Sequence, residues 1–159
     1  MRVLIADTSR LNVRIMEKML EGSGVRFDSA SDGAEAMRLV LKYDYSIAFI
    51  SDKLNDISGS ELMRRMRDTL LARSLHEPEF VAMSMNPNGM IERRYLDAGF
   101  DGYLHKPFLK NRLWDVIDTV MTEAYGHEWR ETAGLTAEDV SVLANNMVEA
   151  ENEKNENIA

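Results

Sequence analysis

The sequence predicts an α/β fold: a doubly wound, five-stranded parallel sheet in the order 2-1-3-4-5, with helices on both faces and an extra helix near the C-terminus. Two observations point there. Five short apolar runs alternate with five amphipathic stretches in roughly the first 125 residues. The clearest of these runs are continuous, as expected of strands covered on both faces. Right-handed crossovers then favour a doubly wound order.

The elements follow in chain order. Val3-Leu4-Ile5-Ala6 is the first strand. Asp7-Thr8-Ser9 supplies helix-capping chemistry, and Val13, Met16 and Leu20 follow at helical spacing until Glu21-Gly22-Ser23-Gly24 stops the helix. Val25 to Ala30 is a more polar strand, expected near an edge of the sheet. Ser31-Asp32-Gly33 turns into a second helix marked by Ala36, Met37, Val40 and Leu41. Ile47-Ala48-Phe49-Ile50 is a buried third strand that ends in the polar turn Ser51-Asp52-Lys53. Ser58-Gly59-Ser60 opens a third helix carrying Leu62, Met63, Met66 and Leu70. Phe80 to Met85 is a fourth strand, Asn86-Pro87-Asn88-Gly89 a turn, and Met90 to Ala98 a short helix. Asp101 to His105 is the fifth strand, closed by Lys106-Pro107-Phe108, and Leu113, Val116, Ile117, Val120 and Met121 mark the fifth helix.

Residues 1–125 therefore form one domain, and 126–159 an acidic extension. In that extension Thr136 to Asp139 resembles a helix start, and Val140, Leu143 and Met147 form a narrow apolar stripe, so one helix is expected over about 137–148, with a disordered tail beyond it. Of the net charge of −8, the extension carries −6 and the first 125 residues only −2. Neither part has the basic footprint of a nucleic-acid binder. Without cysteine, a disulfide framework, a thiolate metal site and a cysteine nucleophile are all excluded. No apolar run approaches the roughly 20 residues needed to span a bilayer. The expectation is a cytoplasmic protein with neither nucleic-acid nor membrane partners.

In a sheet of this topology, chemistry belongs at the carboxyl ends of the strands. Those ends carry Asp7 and Thr8, Ser51 and Asp52, Ser84, and Lys106. A carboxylate, hydroxyls and a lysine around one crevice suit a cation or a phosphoryl group. His76, His105 and His127 lack metal-ligand spacing, and most of the eleven methionines fall at helical core positions.

The segments VLIADTSRLN, SDGAEAM, YSIAFISDKLNDISGSELMRRMR, VAMS and DAGFDGYLHKPF resemble, in order, the receiver domain of two-component response regulators, over residues 2 to about 124. The resemblance implies the CheY-like, flavodoxin-like version of the fold and a signalling module rather than an enzyme. In the family, an acidic pair after the first strand holds magnesium. An aspartate after the third strand accepts a phosphoryl group from a histidine kinase, and a hydroxyl and a lysine bind the phosphoryl oxygens. By that resemblance Asp7 corresponds to the first acid, Ser84 to the hydroxyl, Tyr103 to the switch aromatic and Lys106 to the lysine. The second acid is replaced by Thr8.

After the third strand the family reads D-x-x-M-P-x-M-D-G, whereas this chain reads S-D-K-L-N-D-I-S-G. Ser51 lies eight positions before Gly59 and eighteen after Gly33, both as in the family, so Ser51 occupies the acceptor position. Asp52 is the alternative acceptor, at the cost of an insertion and a deletion. An acyl phosphate requires a carboxylate nucleophile, which serine lacks. With Asp7 as the sole remaining carboxylate of the set, magnesium is expected to bind weakly, and no cofactor is required. Lys53 either reaches Asp7 or points into solvent.

The expected function is that of a degenerate receiver acting as a protein–protein interaction module. The alternatives are a working receiver that uses Asp52 and magnesium, and a receiver-like fold that binds another anionic ligand. The expected partners are a histidine kinase, a downstream signalling protein, or a second copy of the chain through the fourth helix, fifth strand and fifth helix or through the C-terminal helix.

Overall fold

Alternate residues of a strand point to opposite faces, so a sheet covered on both sides must divide its apolar side chains between two cores. In the computed structural model, which describes residues 1–85 and 89–135, this division runs through the whole sheet. The elements are β1 (Arg2–Ala6), α1 (Arg10–Leu20), β2 (Arg26–Ala30), α2 (Gly33–Lys42), β3 (Ile47–Ser51), α3 (Gly59–Ala72), β4 (Glu79–Ser84), α4 (Gly89–Asp97), β5 (Gly102–His105), α5 (Lys110–Tyr125) and the short α6 (Trp129–Thr132). All strand pairings are parallel, in the order β2-β1-β3-β4-β5.

Val3 and Ile5 of β1, Ile47 and Phe49 of β3, and Val81 and Met83 of β4 join the core beneath α1 and α5. Leu4 and Ala6, Ala48 and Ile50, and Phe80 and Ala82 join the core beneath α2 and α3. All five residues of β3 are buried, as its unbroken apolar run requires. β2 is the more polar strand and lies at an edge, where only one neighbour covers it. The helix starts also follow the sequence. Ser9 accepts from the backbone N–H of Asn12, Asp32 from that of Glu35, and Ser58 from that of Glu61.

The chain does not leave the fold after α5. Trp129 is 1% exposed, and with Leu135 it joins the core beneath α1 and α5. Its indole Nε1 donates to Asp118 at 3.0 Å, and Arg130 pairs with the same carboxylate. α6 is thus an additional C-terminal helix packed on the sheet's own core. The helix expected at about 137–148 and the tail after it lie outside the described residues, as do three residues of the turn after β4.

Candidate functional site

The carboxyl ends of β1, β3, β4 and β5 bring Asp7, Ser51, Ser84 and Lys106 into one buried cluster. Each arrives there for a local reason. Asp7 follows β1, where its backbone N–H still bonds to Ala30 at the end of β2. Its Oδ1 accepts from the Ser9 N–H at 2.8 Å and its Oδ2 from the Asn12 amide at 3.3 Å. Ser51 is the last residue of β3, paired with Met83 of β4. Lys106 follows β5, and its backbone N–H donates to the Ser84 carbonyl at 2.8 Å.

The Lys106 ammonium closes the cluster. Its Nζ stands 2.6 Å from Asp7 Oδ2 and donates to Ser51 Oγ at 2.7 Å. Asp7 is 3% exposed and Lys106 7%, so this is an ion pair taken out of water, where the charges must satisfy each other. Both oxygens of Asp7 are engaged, one by a backbone N–H and the other by Lys106 and Asn12.

The residues beside the cluster sort by exposure. Asp52 is exposed, and the Ser51 hydroxyl reaches its carboxylate only at 3.4 Å. Thr8 is also exposed. Lys53 is exposed, its backbone bridged to Ser58, and the ammonium on Asp7 belongs to Lys106 instead. The reach of Lys53 to Asp7 considered from the sequence is therefore not realised. Lys106 directly follows β5 and is buried, whereas Lys53 lies beyond the end of β3 in the exposed turn. Tyr103 is half-buried, with its hydroxyl 3.4 Å from the Ser84 carbonyl and its ring stacked on Tyr95 at 5.9 Å between centroids. Burial raises the Tyr103 phenol above its ordinary pKa.

Two backbone contacts fix the turn after β3. A Cβ at Gly59 would lie 2.2 Å from the Ser51 carbonyl oxygen, so only glycine lets α3 begin against the end of β3. This contact is the physical content of the eight-residue spacing. Farther along, Asp56 accepts from the N–H groups of Gly33 at 2.8 Å and Ala34 at 3.1 Å, bonding the loop to the start of α2. A Cβ at Gly33 would strike Ile57 at 2.4 Å. Sequence reasoning passed over both Asp56 and Asn12. An aspartate within a polar loop and an asparagine within an amphipathic helix offer no signal of these contacts.

A family model for the response regulator receiver domain matches residues 3–118. Among curated proteins, the chain is 30% identical over 128 residues to the cell cycle response regulator CtrA of Brucella ovis, a match covering 80% of this chain and 53% of CtrA. It is 26% identical over 119 residues to hybrid signal transduction histidine kinase L of Dictyostelium discoideum, covering 73% of this chain and 7% of the kinase. The match thus spans about half of the first relative and a small fraction of the second. Among solved structures, the co-crystal structure of the Saccharomyces cerevisiae histidine phosphotransfer protein Ypd1 with the receiver domain of its downstream regulator Ssk1 contains a chain that superposes with a TM-score of 0.69. The identity is 22%, over 78% of this chain and 91% of that one. A two-component response regulator from Clostridium difficile gives a TM-score of 0.68 at 22% identity, over 78% and 98% of the two chains. At these identities the structural likenesses speak for the fold.

Proposed function

We propose that this chain, which belongs to the response regulator receiver domain family, works as a degenerate receiver: a protein–protein interaction module in two-component signalling whose phosphoryl pocket is closed from within. The observation that carries this reading is the Lys106 ammonium, held at 2.6 Å by Asp7 and at 2.7 Å by Ser51. A hydroxyl stands where an aspartyl nucleophile would be needed, and the lysine that would meet a phosphoryl oxygen is already bound.

Among the described residues, the base nearest Ser51 is the exposed Asp52 carboxylate, which its hydroxyl meets only at 3.4 Å. The buried Lys106 is itself a donor to the Ser51 oxygen, which opposes attack by that oxygen on phosphorus. The pocket also fits magnesium poorly. A magnesium site of this kind takes one or two carboxylates. Here both oxygens of Asp7 are committed, and Thr8 and Ser51 contribute only hydroxyls. Among the described residues, no group of three His, Cys, Asp or Glu side chains is placed to hold a metal. No step of the proposed function passes through a bound metal.

Binding would then use surface that does not depend on the pocket. One candidate surface is the face of α4, β5 and α5, where Leu96 is 43% exposed beside a shallow groove that includes Tyr103 and Val116. The partner class proposed is a histidine-bearing component of the same kind of pathway, or a downstream signalling protein. Support comes from the family itself and from the receiver of Ssk1, which is crystallised with a histidine phosphotransfer protein.

The test is to incubate the protein with acetyl phosphate or beryllofluoride plus magnesium, then read intact mass and the fluorescence of the buried Trp114. Unchanged mass and spectrum are expected. A magnesium-dependent phosphoryl adduct that disappears in Asp52→Asn would overturn the closed-pocket reading and establish Asp52, exposed at the same strand end, as a working acceptor.

A further inference from the structure

On the β2 side of β1, beside the closed pocket, the carboxyl edge opens into a cleft of about 530 Å3. That volume falls in the range of small-molecule sites. Arg10 and Arg14 line it from α1, one helical turn apart, and Thr8 and Ser31 bring hydroxyls from the ends of β1 and β2. Glu17 and Glu35 also reach its walls.

The charges in this cleft are unevenly committed. Glu35 is engaged, accepting from the Ser31 N–H at 2.9 Å and the Ser31 hydroxyl at 3.3 Å. Asp7, at the inner end, is neutralised by Lys106. Arg10 and Arg14 are exposed, and among the described residues neither guanidinium takes part in a hydrogen bond, an ion pair or a ring contact. Glu17 stands three residues from Arg14, a spacing that allows pairing on a helix, yet no ion pair forms. On α3 the same kind of opportunity is taken, since Glu61 holds both Arg64 and Arg65. A hydroxyl at position 8 removes a carboxylate from the mouth of the cleft. The free groups are thus two cationic forks, one hydroxyl and one acceptor carboxylate.

We propose that this cleft is a ligand site for a nucleoside phosphate. Two guanidinium forks one turn apart suit adjacent phosphate groups, which arginine binds bidentately. The Thr8 hydroxyl donates to a phosphate oxygen. Glu17 accepts from a sugar hydroxyl or a base amino group, which explains a carboxylate in a site for an anion. The remaining volume holds the sugar and base. This site goes beyond the closed-pocket reading and does not depend on it, because none of its free groups touches Ser51 or Lys106.

The test is calorimetry with ADP, pyrophosphate and adenosine in the presence of EDTA, followed by amide chemical-shift mapping. ADP binding is expected, with adenosine much weaker. Arg10→Gln and Arg14→Gln are each expected to weaken ADP by about ten- to a hundredfold, the loss of one charge-assisted contact. Both side chains are exposed, so neither change disturbs the core. Shifts centred on Thr8, Arg14 and Ser31 support the assignment. The proposal is overturned if ADP gives no heat at millimolar concentration, if both glutamine variants bind it as well as the wild type, or if the shifts centre on Ser51, Ser84 and Lys106. None of these results bears on whether acetyl phosphate forms an adduct, so the two readings stand or fall separately.

Discussion

Lys106 is buried with two partners, and removing it strands a carboxylate. Lys106→Met leaves Asp7 charged and out of water, a loss expected to cost about 3–5 kcal/mol in urea unfolding. Asp7→Asn combined with Lys106→Met should recover part of that loss, because the orphaned charge is gone as well. Additive losses in this double mutant would show that the two groups do not act as a pair. Glu79 stands at the opposite end of β4. Burial, together with the neighbouring carboxylates of Asp101 and Glu77 and against the pull of Arg67, raises its pKa from 4.5 to about 7. The folded protein therefore holds a proton there that the unfolded chain has already released. This contribution to stability is full below pH 4.5 and is lost as pH rises through about 7. Glu79→Gln should flatten the difference in urea midpoint between pH 5 and pH 7.5, and an unchanged difference would rule Glu79 out as its source.

At the scale of elements, α6 is the addition that the sequence did not announce. Trp129 sits in the polar stretch GHEWRETAGL, where no apolar periodicity marks a helix and a lone tryptophan says nothing about what it covers. Its burial follows from the fold: α5 runs back toward the amino edge of the sheet, where an apolar side chain can still reach the core beneath α1 and α5. Trp129→Ala should cost about 3–5 kcal/mol in urea unfolding, the usual loss for a buried aromatic. A cost below about 1 kcal/mol would mean that α6 is an ornament. The strands were legible from their period, and α1, α2 and α3 because period and capping residues agree, at Ser9, Asp32 and Ser58; α5 starts at Leu109 without a side-chain cap and was legible from its period alone. The spacing that put Ser51 at the strand end was legible because the contact between Gly59 and Ser51 tolerates no side chain. What the chain could not reveal was which lysine would meet Asp7. Lys53 is close to the pocket in sequence and Lys106 is distant, and tertiary geometry chose the distant one.

Considered as a whole molecule, the protein keeps the receiver architecture, with the hydroxyls of Thr8 and Ser51 beside Asp7 at its carboxyl edge in place of carboxylates. One substitution asks how far that change is reversible. Ser51→Asp places a second carboxylate against Lys106 and beside Asp7, restoring the kind of donor set a divalent cation needs. Magnesium-dependent beryllofluoride binding is expected to appear in this variant and not in the wild type, and can be followed by fluorine NMR. If it does not, Thr8 or the Asp7 contacts must block the site as well. The wild-type pair also has a mechanical meaning. The chain order places β3 and β4 between β1 and β5, and the Lys106 side chain crosses back over them to Asp7. It acts as a cross-brace on the open edge of a twisted sheet, resisting the splaying of strands that are otherwise joined only to their neighbours. A brace of this kind predicts that the amides at the carboxyl edge exchange with solvent as slowly as those in the middle of the strands.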